Sequence, residues 1–399
     1  MFHIVFNVNE EYVKYLAVLC HSIIKSTPKD SPPRSGGGGA NNPLENNPLT
    51  EGYCFHILTD GMSEEMARKL EALEAELGKE WACRFCVHVC EDSDFWGLPK
   101  LNGNYLTYLR LKLARYLPQE VERCLYMDAD MLCVGDLREV FGMDMEGRIC
   151  AAVRDAHYQD ARIMPARADK NSSEASERAS GEANKNACVG ANDGKKLAAQ
   201  AGRVASQEQG RDSAGFSLNL EFYFNAGLML IDVAAWRREG VEQKCFEFLS
   251  HYVPQWHDQD TLNATLAPRV KLLPLEWNYM IGHLEKPKRI FWGLRGQPNL
   301  AYNKQQYLQA KGRAKVLHYI CGRKPWHENV SEVEEWNHGR EVWRYLKQWW
   351  GVALDTPIFG EELRCIHEQN VMSRMQEQKS FKWVRNIWRR CKYIFYHVL

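Results

Sequence analysis

The sequence lacks an excess of charge of either sign. Its 399 residues contain 51 Lys plus Arg and 51 Asp plus Glu, so the formal net charge at pH 7 is zero. A protein that coats a nucleic acid needs a surplus of basic groups to neutralise the phosphates. The composition therefore argues against a nucleic-acid partner.

Long apolar runs and a secretion signal are also missing. No apolar stretch approaches the roughly 20 residues of a membrane-spanning helix. The first residues, Met1-Phe-His-Ile-Val-Phe6, have no basic group ahead of them, and polar Asn7 and Asn9 follow. A signal peptide has a basic region before a longer apolar one. We expect a first β-strand here and a cytoplasmic protein.

The 13 cysteines do not form the pattern of a disulfide framework. They are odd in number and scattered through apolar runs, which indicates free thiols in a reducing compartment. Cys83 and Cys86, three positions apart, would face opposite sides of a strand and could not bind one zinc ion. Cys86, His88 and Cys90 share a face, but no second ligand pair lies nearby in sequence. We interpret this stretch as a core strand.

Strand and helix patterns alternate over residues 1–135. Apolar runs predict strands at His3–Phe6, Tyr53–Thr59, Arg84–Val89 and Cys124–Met127. Apolar residues at helical spacing predict helices between them, the third running from Leu106 to Leu117. Such alternation predicts an α/β fold, with a Rossmann-like, mostly parallel mixed sheet and helices on both faces. Ligands of these sheets bind beyond the carboxyl ends of the strands.

Polar side chains follow three of these strands: Asn7 and Asn9, Thr59 and Asp60, and Asp128 and Asp130. The last pair lies between two apolar runs, so the two carboxylates should not be solvated surface charges. Buried charge is tolerated when it is paired or bound to metal. Two carboxylates at a strand end suit Mg²⁺ or Mn²⁺ that also contacts phosphate. The alternative is a turn in which both residues cap the next segment.

Later segments add further candidates. Phe222–Ile231 is an apolar strand interrupted by Asn225 and Gly227, which suggests close approach of the backbone to a ligand. A dense polar group, His257-Asp258-Gln259-Asp260, follows. An apolar strand then carries His318, and a turn leads to Lys324 beside Pro325 and Trp326.

Three segments differ from the rest. Residues 30–50 and 161–214 are polar, with few or no aromatic residues, and we expect surface insertions without a fixed conformation. A partner-binding segment is the alternative for 161–214. Residues 379–399 interleave basic and aromatic side chains. This composition suits an anionic membrane surface, a nucleic acid, or a helix packed on the main domain.

Four blocks, in order over about residues 2–327, resemble glycosyltransferase family 8, which has the GT-A fold. They are Phe6-Asn-Val-Asn-Glu-Glu-Tyr12, Tyr108-Leu-Arg110 leading to Asp128-Ala-Asp130, Tyr223-Phe-Asn-Ala-Gly227 with Asp258-Gln-Asp260, and the stretch from His318 to Trp326. The family includes bacterial lipopolysaccharide glucosyl- and galactosyltransferases and glycogenin. The resemblance implies a GT-A domain over residues 1–327, followed by a C-terminal helical extension over 328–399.

The resemblance also implies roles for individual residues. The ligands of Mn²⁺ (or Mg²⁺) would be Asp128, Asp130 and His318. Catalytic groups would be Asp258, Gln259 and Lys324, with Gln259 near the anomeric carbon. The UDP-sugar would be bound by Asn7, Asn9, Tyr12, Arg110, Asp128, Ala129, Asp155, Asn225, Asp258, Gln259, Gly322 and Lys324. Two positions depart from the family pattern: Asn9 replaces an acidic residue, and Gly322 lies one position later than the family's glycine.

The implied reaction is retaining transfer of glucose or galactose from a UDP-sugar to a hydroxyl of a saccharide. The expected acceptor is a lipid-linked lipopolysaccharide or lipooligosaccharide core. That acceptor favours docking of the tail on the inner membrane, from the cytoplasmic side. A self-glucosylating primer like glycogenin and a non-catalytic nucleotide-sugar-binding protein stay open as alternatives. A nucleotidyltransferase fits the turn with His318 and Lys324 less well.

Overall fold

The computed structural model of the chain describes residues 1–29, 52–98, 100, 103–155, 162–165, 216–281, 301–320, 324–327 and 344–370. Its strands are β1 Phe2–Asn7, β2 Tyr53–Thr59, β3 Cys83–Val89, β4 Arg123–Met127, β5 Met131–Cys133, β6 Cys150–Arg154, β7 Arg162–Pro165, β8 Phe216–Ser217, β9 Phe224–Asp232, β10 Tyr252–Val253, β11 Val270–Leu273, β12 Tyr279–Met280 and β13 Val316–His318. Its helices are α1 Val13–Ser26, α2 Glu64–Leu77, α3 Leu106–Leu109, α4 Leu113–Tyr116, α5 Arg138–Phe141, α6 Val233–Arg238, α7 Val241–His251, α8 His257–Leu266 and α9 Lys304–Lys311. Two more, α10 and α11, span 344–353 and 360–370.

The centre of the fold is a seven-stranded mixed sheet in the order β11-β6-β9-β4-β1-β2-β3. Strand β1 runs parallel to both β2 and β4, whereas β9 is antiparallel to β4 and β6. Helices cover both faces: Ile4 and Phe6 of β1 join the core that contains α1 and α2, and Val5 joins the opposite core. The α/β class and the mixed sheet expected from the sequence are confirmed.

Side-chain caps mark the start of some helices. The Ser63 hydroxyl accepts from the N–H of Met66 (3.2 Å) at the start of α2, and Asp232 caps α6 through the N–H of Ala235 (2.7 Å). The helix predicted from Leu106 to Leu117 is instead two short helices joined by a 3-10 turn at Arg110–Lys112. That turn directs the side chain of Arg110 inward, where buried carboxylates pair with it.

A small second sheet, in the order β12-β13-β5, continues from the main sheet where β4 ends. Strand β5 begins directly after Asp130, and β13 pairs antiparallel with it, which places His318 opposite Met131. On its other side β13 pairs in parallel with β12, so His318 also lies opposite Met280. Three segments far apart in sequence therefore meet at one point.

Helices α10 and α11 pack on the core of the main sheet. Trp349 is fully buried, with its ring 5.2 Å from that of Trp326 and 6.2 Å from that of Tyr15. None of the described helices is long and apolar enough to cross a bilayer. The predicted insertion at 30–50 and the basic-aromatic tail lie outside the described residues. So does the insertion at 161–214, apart from β7, which pairs with β8 and β10.

Candidate active site

Asp128, Asp130 and His318 meet at the carboxyl end of β4. One ligand atom from each residue lies within 4.8 Å of the others. Nε2 of His318 is 3.3 Å from Oδ1 of Asp130 and 4.0 Å from Oδ2 of Asp128. Two carboxylates and one imidazole form a donor set that suits Mn²⁺ or Mg²⁺. The structure thus brings together the three residues predicted to bind metal.

Gly227 explains how these groups come so close. A Cβ atom on this residue would lie 2.5 Å from Cε1 of His318, 2.8 Å from Oδ2 of Asp128 and 3.0 Å from Oδ1 of Asn225. The backbone of β9 passes directly against the candidate metal ligands, and the carbonyl of Gly227 accepts from the N–H of Asp128 (2.8 Å). Only a residue without a side chain fits here, as the interrupted apolar run predicted.

Asn278 determines which nitrogen of His318 carries a hydrogen. Its Nδ2 donates to Oδ1 of Asn225 (2.8 Å), so its oxygen faces Nδ1 of His318, also at 2.8 Å. An amide oxygen only accepts, so Nδ1 is the donor, and in the neutral ring Nε2 has the free lone pair. That lone pair faces the oxygens of Asp128 and Asp130. Lone pairs arranged in this way are stabilised by a cation between them, so these residues fit a metal ion.

Asp155 and Gln259 fix the orientation of Asn225 in turn. Nδ2 of Asn225 donates to Oδ2 of Asp155 (3.0 Å). Nε2 of Gln259 donates to the same oxygen (3.1 Å) and to the hydroxyl of Tyr223 (3.1 Å), while its Oε1 accepts from the N–H of Ala226 (3.0 Å). Because carboxylates only accept, both amides have one orientation. The side chain of Gln259 is therefore held in one orientation beside Asn225 and Ala226, which lead to Gly227.

Lys324 forms an ion pair with Oδ2 of Asp130 and donates to the carbonyl of Tyr319 (2.9 Å). Burial alone would raise the pKa of Asp130. The Lys324 ammonium acts against burial, and the pKa of this carboxyl falls well below its usual range. Asp130 is therefore ionised at neutral pH, with a cation already beside it.

Arg110 connects this cluster to Asp258. Its Nη2 donates to Oδ1 of Asp128 (2.9 Å), its Nε lies 3.0 Å from Oδ2 of Asp258, and its Nη1 donates to the carbonyl of Ala226 (3.0 Å). The guanidinium stacks on the ring of Tyr126, 4.3 Å from its centre. Burial raises the pKa of Asp258 to about 6, although Arg110 acts in the opposite direction. The Asp258 carboxylate thus depends on Arg110 to stay ionised.

The predicted nucleotide-binding residues lie at the last position of β1 and directly after it. Nδ2 of Asn7 donates to the carbonyl of Leu106 (3.2 Å), whereas its buried Oδ1 has no partner among the described residues. Oδ1 of Asn9 accepts from the N–H of Tyr12 (3.2 Å), so it caps a short 3-10 turn. The Tyr12 ring packs edge-on against that of Trp326, 6.0 Å away. Tyr12 therefore borders the turn that carries Lys324.

Ala129, another predicted substrate-binding residue, is buried between the two aspartates. Gly322 lies outside the described residues. Sequence reasoning missed Asn278 and Tyr223, whose hydroxyl donates to Oδ1 of Asp260 (2.7 Å). It also missed Tyr126, which donates to Oδ1 of Asp128 (2.9 Å). Tyr126 and Asn278 lie in apolar stretches whose local pattern does not distinguish them from core residues. Tyr223 belongs to a block that carries the family resemblance, but the resemblance assigns it no role.

A sequence model of the family described as Glycosyl transferase family 8 matches residues 3–330. The site agrees with this match: an Asp-x-Asp pair lies at the carboxyl ends of the sheet strands, together with a histidine from far along the sequence. The chain belongs to glycosyltransferase family 8.

Two relatives act on lipopolysaccharide by name. The lipopolysaccharide 1,3-galactosyltransferase of Salmonella typhimurium is 24% identical over 323 residues, which is 78% of this chain and 74% of that protein. A lipopolysaccharide 1,2-glucosyltransferase of Escherichia coli is 23% identical over 314 residues, 74% of this chain and 73% of that protein.

The fold also matches a crystal structure of the galactosyltransferase LgtC, determined with donor and acceptor sugar analogues. The TM-score is 0.55 at 21% identity, and the match covers 92% of this chain and 100% of that one. At this identity the match establishes the shared GT-A fold, and the class predicted from the sequence is confirmed.

Proposed function

We propose that the protein is a metal-dependent, retaining hexosyltransferase. It would transfer glucose or galactose from a UDP-sugar to a hydroxyl of a lipopolysaccharide or lipooligosaccharide core. One observation carries the proposal: the free Nε2 lone pair of His318 faces the carboxylates of Asp128 and Asp130, with the ammonium of Lys324 alongside. The two lipopolysaccharide-modifying relatives support the choice of acceptor.

Departure of UDP leaves negative charge on the diphosphate while the anomeric carbon becomes electron-poor. A Mn²⁺ or Mg²⁺ ion held by Asp128, Asp130 and His318 would supply Lewis-acid chemistry to that leaving group. Lys324, fixed beside Asp130, adds a positive charge on the same side and would contact the diphosphate. No general acid is required, because the leaving group departs as a stabilised anion.

The other site residues would hold the donor. Arg110 and Asp258 form a buried ion pair next to Asp128, and Asp155 and Asn225 present polar groups to the same region. Gln259 is fixed by hydrogen bonds at both ends of its amide, so we assign it a positioning and electrostatic role near the anomeric carbon. Asn9 and Tyr12 would bind the uracil end, together with Asn7, whose Oδ1 has no partner among the described residues.

A transfer assay tests the proposal. The full chain is incubated with UDP-glucose or UDP-galactose, Mn²⁺ and truncated lipopolysaccharide cores, and UDP release and the product's anomeric configuration are measured. We expect a retained linkage, and loss of turnover in Asp130→Asn but not in the surface control Asp144→Asn. Absence of UDP release with every acceptor from folded protein would overturn the proposal. A mass gain on the protein itself would instead indicate a self-glucosylating primer.

We also propose that the basic-aromatic tail docks the enzyme on an anionic membrane, where a lipid-linked acceptor resides. The support comes from sequence alone, because residues 379–399 lie outside the described part of the chain: basic and aromatic side chains alternate in this segment. In a flotation assay with phosphatidylglycerol vesicles, the full chain should float and a chain ending at residue 378 should not. Equal flotation of the two proteins would contradict the idea.

A further inference from the structure

A second group of metal-ligating side chains lies near the amino ends of β1 and β2. His3, Cys54 and His56 each place one ligand atom within 4.8 Å of the other two. His3 and Cys54 are opposite each other on parallel strands, and His56 follows two residues later on the same face. Nδ1 of His3 lies 2.9 Å from Nε2 of His56. The cluster is thus separate from Asp128 and Asp130, which lie beyond the carboxyl ends.

The edge strand β3 supplies a second sulfur. Cys86 lies opposite His56, and its Sγ is 3.6 Å from Sγ of Cys54. In a tetrahedral zinc site with Zn–S bonds of about 2.3 Å, two sulfurs lie about 3.8 Å apart. Two imidazole nitrogens lie about 3.3 Å apart in such a site, so the rings of His3 and His56 need to separate by only a few tenths of an ångström. Strands β1 and β2 thus supply three ligands whose atoms lie within 4.8 Å of one another, and Cys86 would be the fourth. Cys86 lies outside that group of three, so its side chain must turn toward the ion.

We propose that four side chains bind one Zn²⁺ ion in a tetrahedral structural site: His3, Cys54, His56 and Cys86. Two thiolates balance the charge of the ion, which a buried site requires. The site would tie the edge strand β3 to β1 and β2. It is independent of glycosyl transfer, so either proposal can fail without the other.

The protonation states of the cluster support zinc binding. Burial lowers the pKa of His56 to about 3 and that of His3 to about 4, so both imidazoles are neutral and able to coordinate. The two cysteines share one hydrogen: their hydrogen bond lowers the pKa of Cys86, with Arg84 acting in the same direction against burial, and the same bond together with burial raises the pKa of Cys54. Zinc would therefore replace the hydrogen that the two sulfurs share, and that proton would pass to solvent.

Outer contacts hold the ligands in place. Nδ1 of His56 lies 3.0 Å from Nε2 of His88, so a third imidazole would take the place of the carboxylate or carbonyl that orients most metal-bound histidines. Nε of Arg84 donates to Sγ of Cys54 (3.3 Å), which stabilises negative charge on that sulfur. A ladder of hydrogen-bonded histidines without metal is the alternative interpretation.

Cobalt titration distinguishes the two interpretations. The full chain, kept reduced and free of zinc, is titrated with Co²⁺, and the sulfur-to-cobalt charge-transfer band is recorded. We expect saturation at one equivalent. The band should be lost in Cys54→Ser and in Cys86→Ser. The control Cys83→Ser should keep it, because Cys83 faces the opposite side of the sheet, with its Sγ 3.9 Å from the carbonyl of Glu74. Cobalt at the carboxylate site gives no such band.

Zinc-edge X-ray absorption of the unmodified chain provides a test that needs no variant. We expect two sulfur and two nitrogen neighbours, and a melting temperature that rises with zinc in the wild type but not in Cys86→Ser. A shell of oxygen and nitrogen alone, or a cobalt band that persists in both cysteine variants, would overturn the proposal. Should Cys54→Ser not fold, Cys86→Ser on the edge strand and the absorption spectrum still decide.

Discussion

Gly227 lies against His318 so closely that a Cβ atom on the glycine would be 2.5 Å from Cε1 of the imidazole. The same atom would lie 2.8 Å from Oδ2 of Asp128. Strand β9 therefore forms one wall of the candidate metal site through its backbone alone. Any side chain here must push apart the groups that would share the ion.

Gly227→Ala should consequently weaken Mn²⁺ binding by about 10- to 100-fold, the range found when groups that orient metal ligands are disturbed. Turnover should fall with it, and the unfolding transition should remain cooperative. Mn²⁺ titration followed by electron paramagnetic resonance measures the effect. Gly351→Ala is the matched control, because a Cβ at Gly351 meets nothing within 4 Å. Equal Mn²⁺ affinity in the two variants would contradict the assignment.

Replacing Asn278 tests the inferred tautomer of His318. Asn278→Ala removes the acceptor for Nδ1–H, so we expect Mn²⁺ affinity to fall by about 10- to 100-fold. Asn278→Asp keeps an acceptor oxygen for Nδ1–H but loses the donor to Oδ1 of Asn225, so it should lose less affinity than Asn278→Ala. If both variants lost affinity equally, Asn278 would act through packing and not through the imidazole.

The two aspartates and the histidine could be predicted because each depends on a local pattern. Asp128 and Asp130 end one apolar run and precede another, and His318 ends a third. Asn278 could not be predicted. It reaches His318 because β12 pairs with β13. That pairing depends on the packing of two segments that are far apart in sequence.

The same reason limited two other predictions. The run from Leu106 to Leu117 has helical spacing, but the ion pairs of Arg110 with Asp128 and Asp258 favour a 3-10 turn in its middle. Strand β3 was expected in the core and lies at the sheet edge. Parallel pairing of β3 with β2 then brings Cys86 to Cys54, 32 residues earlier in sequence. Tertiary contacts of this kind leave no periodic signal.

Lys324→Met should separate metal binding from leaving-group stabilisation. Lys324 occupies one oxygen of Asp130 and repels a cation, so its removal should tighten Mn²⁺ binding in the absence of UDP-sugar. The value of kcat should fall by about 100- to 1000-fold, as when a preorganised group facing a developing anion is lost. Mn²⁺ titration and initial rates measure the two effects. Weaker Mn²⁺ binding together with an unchanged kcat would contradict the assigned role.

Acid should destabilise the protein through the histidines of β1 and β2. The pKa of His56 is about 3 in the fold, compared with 6.5 for the free side chain, so between these values the unfolded state binds more protons. The free energy of unfolding therefore decreases as pH falls below about 6.5, by about 2 kcal/mol from this residue between pH 7 and 5. The free energy of unfolding is measured with urea at pH 7 and pH 5, with EDTA present. The decrease between the two pH values should be smaller in His56→Gln than in the wild type. The exposed control His251→Gln should match the wild type.

Arg110→Met should destabilise the fold by about 3–5 kcal/mol, because it leaves the carboxylates of Asp128 and Asp258 without their buried partner. The surface control is Arg313→Met. Arg313 pairs with Glu276 at 3.4 Å in an exposed position, so its loss should cost less than about 1 kcal/mol. Urea unfolding at pH 7 measures both. Adding Asp258→Asn to Arg110→Met should recover part of the loss, since it removes a buried acid that must take up a proton once Arg110 is gone. Equal stability of Arg110→Met and Arg313→Met would show that the Arg110 ion pairs do not hold the site together.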